Sequence, residues 1–170
     1  MKPIVVLLSL ILCSSALSQQ AEGPNPLLDH MVGNWILKGT IDGRQTTHDI
    51  TAGWVLQHRY LQLHEVAREK DSTGQAAYEA IVILGWVEKS KDYGCLWLDI
   101  TGTWDFSGAG IGRGKPSGSE IPFLFKSGDG SVFHNTFIYE PASDSWKWVM
   151  DGEEGGKLIP FARLTLTRTK

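Results

Sequence analysis

The sequence predicts an all-β fold, an up-and-down antiparallel barrel of about ten strands preceded by one short helical turn. Three observations carry this. Beyond residue 33 the chain is a succession of short alternating apolar and polar runs, with almost no helical periodicity. The connectors, "KSKD", "GDG", "PASD" and "EEGG", are short and rich in turn residues. A meander of that many antiparallel strands must deal with its edges, and closing the sheet on itself removes them. A two-sheet sandwich is the alternative, but its Greek-key connections call for longer loops than this chain offers.

The elements follow in order. "MKPIVVLLSLILCSSALSQQ" has a basic Lys2, an apolar run from Ile4 to Cys13 and then small polar residues. That is the build of a secretory signal peptide, residues 1–18, with cleavage expected after Ser18. The run is about half of the ~20 residues a membrane-spanning helix needs. Lipidation at Cys13 is disfavoured because Leu12 stands where a small residue is wanted. Residues 19–33 form an N-terminal segment in which "NPLLDHMVGN" makes one helical turn, Asn25 capping and Pro26 in the first helical position. Residues 34–170 form the barrel domain. "NWILKGTI" puts Trp35, Leu37 and Ile41 on one face, and Asp42-Gly43 then supplies a tight type I′ hairpin. "RQTTHDI", the long "GWVLQHRYLQLHEVA", "AAYEAIVILGWVE", "YGCLWLDIT", "TWDFSGAGIG", "EIPFLFKS", "SVFHNTFIYE", "SWKWVMDG" and "IPFARLTLTRT" complete ten.

Composition narrows function. Without Lys2 the remaining chain carries 15 basic and 19 acidic residues, which points to neither nucleic acid nor an anionic membrane surface as partner. No further apolar run is long enough for a membrane-spanning helix. Once Cys13 is removed Cys95 is the only thiol, so no internal disulfide forms and an exported chain relies on packing alone.

Several motifs resemble a known family. "VGNWILKG" resembles the G-x-W opening of calycin (lipocalin-like) barrels, in which a basic residue near the last strand packs on the tryptophan. "LTLTRTK" offers Arg168, or Arg163, for that role, so the resemblance implies Trp35 and Arg168 as the residues that close the barrel. The match is closer to a bacterial calycin-like family to which no activity is assigned. Its G-x-W start, "GGRFL"-like third strand, "GYD…Y…W-x-D" pair and late arginine correspond to "GNW", "LQHRYL", "GWVEKSKDYGCLWLD" and "LTR". Gln57-His58 replaces the glycine pair and Trp86-Val87 replaces Tyr-Asp. Haem-binding barrels related to nitrobindin resemble it more distantly. Fatty-acid-binding proteins place two helices between their first two strands, where this chain has only Asp42-Gly43. The resemblance covers nearly the whole chain after the signal and implies a fold, not an activity.

In the third strand His58, Tyr60, Gln62 and His64 share one face, and Arg59, Leu61, Leu63 and Glu65 the other. The first face is either a polar stripe for a ligand or the barrel's exterior; two leucines outrank two histidines as core and favour the exterior. His58 and His64 are about 20 Å apart along a strand and cannot share a metal ion unless the strand breaks. In "YGCLWLD" Tyr93, Cys95, Trp97 and Asp99 point one way. An inward Asp99 needs a partner, for which Arg59 and Arg163 are candidates, and the group either fixes a ligand's polar end or closes the barrel. Cys95 has no adjacent base and reads as an inert thiol. The glycines of "SGAGIGRGKPSG", Gly108, Gly110, Gly112 and Gly114, match neither a phosphate loop nor a dinucleotide fingerprint, and predict a strand with one bare face that either leaves room in a cavity or frays into a flap, the flap being preferred because Lys115-Pro116-Ser117-Gly118 follows. Asp151, Glu153 and Glu154 read as a solvated hairpin tip rather than a glycosidase pair. Trp146, Trp148 and Met150 are expected to line the interior with Phe133, Phe137 and Phe161. His134 points the other way and is an axial ligand only under a haem reading. No Ser-His-Asp signature occurs, so no catalytic residue is named.

Seven Trp and six Phe exceed what capping two barrel ends requires. The leading expectation is an exported, non-enzymatic barrel, secreted or periplasmic, that binds a small hydrophobic molecule. Its expected ligand residues are Tyr60, Trp97, Phe133, Phe137, Trp146, Trp148, Arg59 and Asp99, with no resident metal or cofactor. The alternatives are a haem-binding or other metal-binding barrel, motivated by five histidines and the distant kinship, and a structural or interaction module with a packed interior, motivated by the lack of any convergent polar cluster. Ligand identity and oligomeric state are not legible in the sequence.

Overall fold

A computed structural model describes residues 26–102, 106 and 110–169. The expected signal peptide and Asn25 lie outside the described residues. The chain forms a closed antiparallel barrel of ten strands. They are β1 (Gly33–Ile41), β2 (Arg44–Val55), β3 (Tyr60–Ala67), β4 (Glu79–Val87), β5 (Asp92–Asp99), β6 (Ile111–Gly114), β7 (Glu120–Lys126), β8 (Val132–Glu140), β9 (Ser145–Glu154) and β10 (Lys157–Arg168). Each strand pairs with its sequence neighbours, and β1 pairs with β10 to close the ring, so every edge is satisfied.

Alternation decides what faces in. Trp35 and Leu37 on β1, Leu61, Leu63 and Glu65 on β3, and Tyr93, Cys95 and Trp97 on β5 are buried. Asp42 (φ 48°) and Gly43 (φ 72°) both take the left-handed conformation that a type I′ turn demands, which makes the β1–β2 hairpin two residues long.

One end of the barrel is plugged. A 3-10 helix, Pro26–Met31, buries Leu27, Leu28 and Met31 across it. Trp35 Nε1 donates to Met31 O at 2.7 Å and Trp54 Nε1 to Asp29 Oδ1 at 2.8 Å. The His30 ring stacks on Tyr139 with centroids 4.4 Å apart. Arg168 completes the plug: its guanidinium carbon sits 4.0 Å above the Trp35 ring, while its N–H groups reach Val32 O, His30 O and the Asp144 carboxylate. Aromatic rings fill the middle of the barrel. Trp148 packs on Phe137 at 4.5 Å and on Trp97 at 5.3 Å, and Tyr139 packs on Trp146 at 5.0 Å.

Three local expectations are corrected. "GWVLQHRYLQLHEVA" is not one strand: β2 runs on to Val55, and the chain reverses through Leu56, Gln57 and His58, whose φ angles are 50°, 57° and 61°. The bare face of β6 does not leave a flap over its described part. The ring of Phe125 fills the space beside Gly112, and the Pro122 carbonyl closes on Gly114. Gly108 lies outside the described residues. Asp151 is not at a solvated tip: it is within β9, buried, and paired with Arg163 Nη2 at 2.5 Å.

Candidate functional site

The end opposite the plug holds a cavity of about 750 Å³. That is within the range of a small-molecule site. Its mouth is formed by the β1–β2 turn, with Ile41, Asp42 and Arg44, and by Phe161 on β10. Its walls carry the Phe125, Phe133, Trp97, Tyr78 and Met150 side chains, so most of the lining is apolar.

Polar groups converge on one side of this apolar space. His48 on β2 and Glu65 on β3 are both buried and lie diagonally across the β2–β3 ladder, where Ile50 pairs with Glu65 and His48 with Ala67. His48 Nδ1 donates to Glu65 Oε1 at 2.5 Å. The other ring nitrogen, Nε2, lies 2.7 Å from Thr46 Oγ1. Glu69 accepts from Thr47 N at 3.1 Å and continues the polar chain toward the mouth. Glu65 Oε2 is buried and has no hydrogen-bond partner among the described residues.

Opposite them, Asn135 on β8 is buried and accepts through Oδ1 from Trp148 Nε1. Tyr78 OH donates to Asp99 Oδ2 at 3.3 Å and accepts from Trp97 Nε1 at 3.1 Å. Burial, and then the charges of Glu65 and Asp99, push the Tyr78 hydroxyl far above its ordinary range. It therefore stays a protonated donor at any ordinary pH.

The expected ligand residues divide. Trp97, Phe133 and Asp99 line the cavity. Phe137, Trp146 and Trp148 point inward but belong to the packed middle and the plugged end, where no space is left. Tyr60 faces outward and lies across Gly85, because alternation turns Leu61 and Leu63 inward instead. Arg59 is exposed in the β2–β3 turn and does not reach Asp99. Asp99 is held by Tyr78 and by the Thr101 backbone N–H at 2.8 Å, and Arg163 pairs instead with the buried Asp151. Cys95 is fully buried, and burial raises its thiol well above the usual range, so it is no nucleophile.

Sequence reasoning missed His48, Glu65, Tyr78 and Asn135 as a group, and expected no convergent polar cluster. One signal was present: Glu65 shares a face with Leu61 and Leu63, so turning the leucines inward buries a carboxylate that requires a partner.

Haem ligation does not suit these side chains. His134 points away from the cavity and pairs with Glu153 at 2.8 Å. His48, which does line the cavity, already directs both ring nitrogens at Glu65 and Thr46. Among the described residues no three His, Cys, Asp or Glu side chains are grouped to hold a metal ion. Comparison with protein-family models and with curated proteins returned no match for this chain.

Proposed function

We propose that this protein is an exported carrier or sequestering barrel that takes a small, largely apolar molecule into the cavity at its open end. The observation that carries the reading is the cavity itself. A barrel selected only for stability gains from filling such a volume, because each unfilled space forfeits dispersion contacts. Here the aromatic side chains fill the middle and the plugged end and leave the other end hollow. Apolar walls with a few buried polar groups are the usual form of a site that binds an apolar body and orients it by its polar feature. The signal-like residues 1–18 support export, to the periplasm or outside the cell.

The reading is tested by native mass spectrometry of the gently purified protein, followed by titration with a neutral fluorescent probe such as N-phenyl-1-naphthylamine. Co-purified small molecules, or saturable probe uptake with one site per chain, are expected. A protein that carries nothing and takes up no apolar probe at millimolar concentration removes the reading. Export is checked separately, by finding a mature chain that begins near Gln19 outside the cytoplasm.

A further inference from the structure

The cavity is acidic as well as aromatic. Asp42, Glu65, Glu69 and Asp99 line it, against Arg44 as the one permanently charged cation in the lining among the described residues. Three of these carboxylates have hydrogen-bond donors: Glu65 Oε1 from His48, Glu69 from Thr47, and Asp99 from Tyr78 and Thr101. The second oxygen of Glu65 has none among the described residues, although the Glu65 side chain is only 3% exposed. A buried carboxylate oxygen left without a donor costs on the order of 1–3 kcal/mol or more, so native proteins rarely keep one without a use. A ligand that brings N–H donors offsets that cost on arrival.

The sign of the ligand's charge follows from the lining. A carboxylate or phosphate entering this space meets like charges in a low-dielectric wall. A neutral alcohol satisfies the orphan oxygen but gains nothing from the surrounding charge. An ammonium satisfies it and is attracted by the carboxylates, and the Trp97, Phe125 and Phe133 side chains in the lining supply apolar surface for its body.

Resting on the carrier reading above, we propose that the cavity selects a small apolar amine in its protonated form, its ammonium directed at Glu65 and its hydrocarbon or aromatic body against the ring-lined wall. Glu65 is the anchoring residue. His48 is a positioning residue, because its hydrogen bond holds Oε1 and leaves Oε2 as the carboxylate oxygen without a donor, which a small turn of the carboxylate brings to the ligand.

The test is calorimetric titration at pH 7 of the whole mature protein with three probes on one skeleton: 4-phenylbutylamine, 4-phenylbutanol and 4-phenylbutyrate. The amine is expected to bind at least tenfold more tightly than the alcohol, and the carboxylate most weakly. In Glu65→Gln the amine is expected to fall to within about threefold of the alcohol measured on the same variant. An alcohol that equals the amine, or a carboxylate that exceeds it, overturns the amine assignment while leaving the carrier reading standing. Binding of none of the three, nor of the neutral naphthylamine probe, removes both. Full amine preference in a folded Glu65→Gln protein overturns the assignment to Glu65. If that variant does not fold, the three-probe order on the unmodified protein decides the proposal.

Discussion

Arg168 shows how one residue joins the last strand to the plug and the first strand. Its guanidinium covers Trp35 and donates to two backbone carbonyls, at Val32 and His30, and to Asp144. Removing it strips donors from carbonyls that sit beneath the plug and uncovers an indole. Arg168→Met is expected to cost about 2 kcal/mol in urea unfolding, from lost hydrogen bonds and a lost cation–π contact. Arg168→Lys should recover little of it, because an ammonium lacks the planar fork that reaches several acceptors at once. The partner carboxylate makes a pH prediction. The hydrogen bond from Arg168, with its charge, holds Asp144 below its ordinary value of 3.8 despite some burial. A carboxyl depressed in the folded state stabilises it above the unfolded value, and that contribution is lost as pH falls through the folded one. The gap in urea midpoint between the natural protein and Asp144→Asn should therefore be widest near pH 6–7 and close between pH 4 and pH 2. Because Asp144 is half exposed, the gap is expected to be small. A gap that is flat across that range means the pair does not contribute.

Among the elements, β6 is the shortest strand and depends on what its glycines leave out. A Cβ on Gly114 falls 2.1 Å from the Pro122 carbonyl oxygen, and one on Gly112 falls 2.6 Å from the Phe125 ring. The first collision is with backbone and cannot be relieved by a rotamer; the second moves a ring that lines the cavity. Gly114→Ala is expected to cost about 2–3 kcal/mol, Gly112→Ala somewhat less but with weakened probe binding, and Gly53→Ala, where no atom lies within 4 Å, close to nothing. Thermal unfolding followed by circular dichroism ranks the three; equal losses at Gly53 and Gly114 contradict the packing described. These elements also show what was legible. Strand number, the Asp42-Gly43 hairpin and the inward faces of β1, β5, β8 and β9 follow from period-two patterning, which is local. The β2–β3 turn was not legible, because Leu56, Gln57 and His58 carry no turn-forming chemistry yet adopt left-handed φ angles. That turn sets the β2–β3 register, and the register brings His48 to Glu65. A pair made diagonally across two strands is invisible until the residue at which the chain reverses is known.

For the whole molecule the decisive question is whether the open end is hollow by construction. The plugged end is closely packed, with its 3-10 helix, stacked His30 and Tyr139, and Arg168 latch. The open end instead keeps unfilled volume and a buried carboxylate with an idle oxygen. Ala67, the last residue of β3, is 3% exposed and lines the cavity two residues from that carboxylate. Ala67→Leu places an isobutyl group in the space. If the space is empty, the added methylenes gain burial without displacing neighbours, and stability should change by less than about 1 kcal/mol or rise. The same change should weaken binding of any probe at least tenfold, since it occupies the volume the probe requires. If the interior is instead packed, the larger side chain forces its neighbours off their rotamers and costs about 1–3 kcal/mol. Urea unfolding and probe titration on that single variant separate the cases: stability kept with binding lost supports a hollow end, and stability lost identifies a solid core.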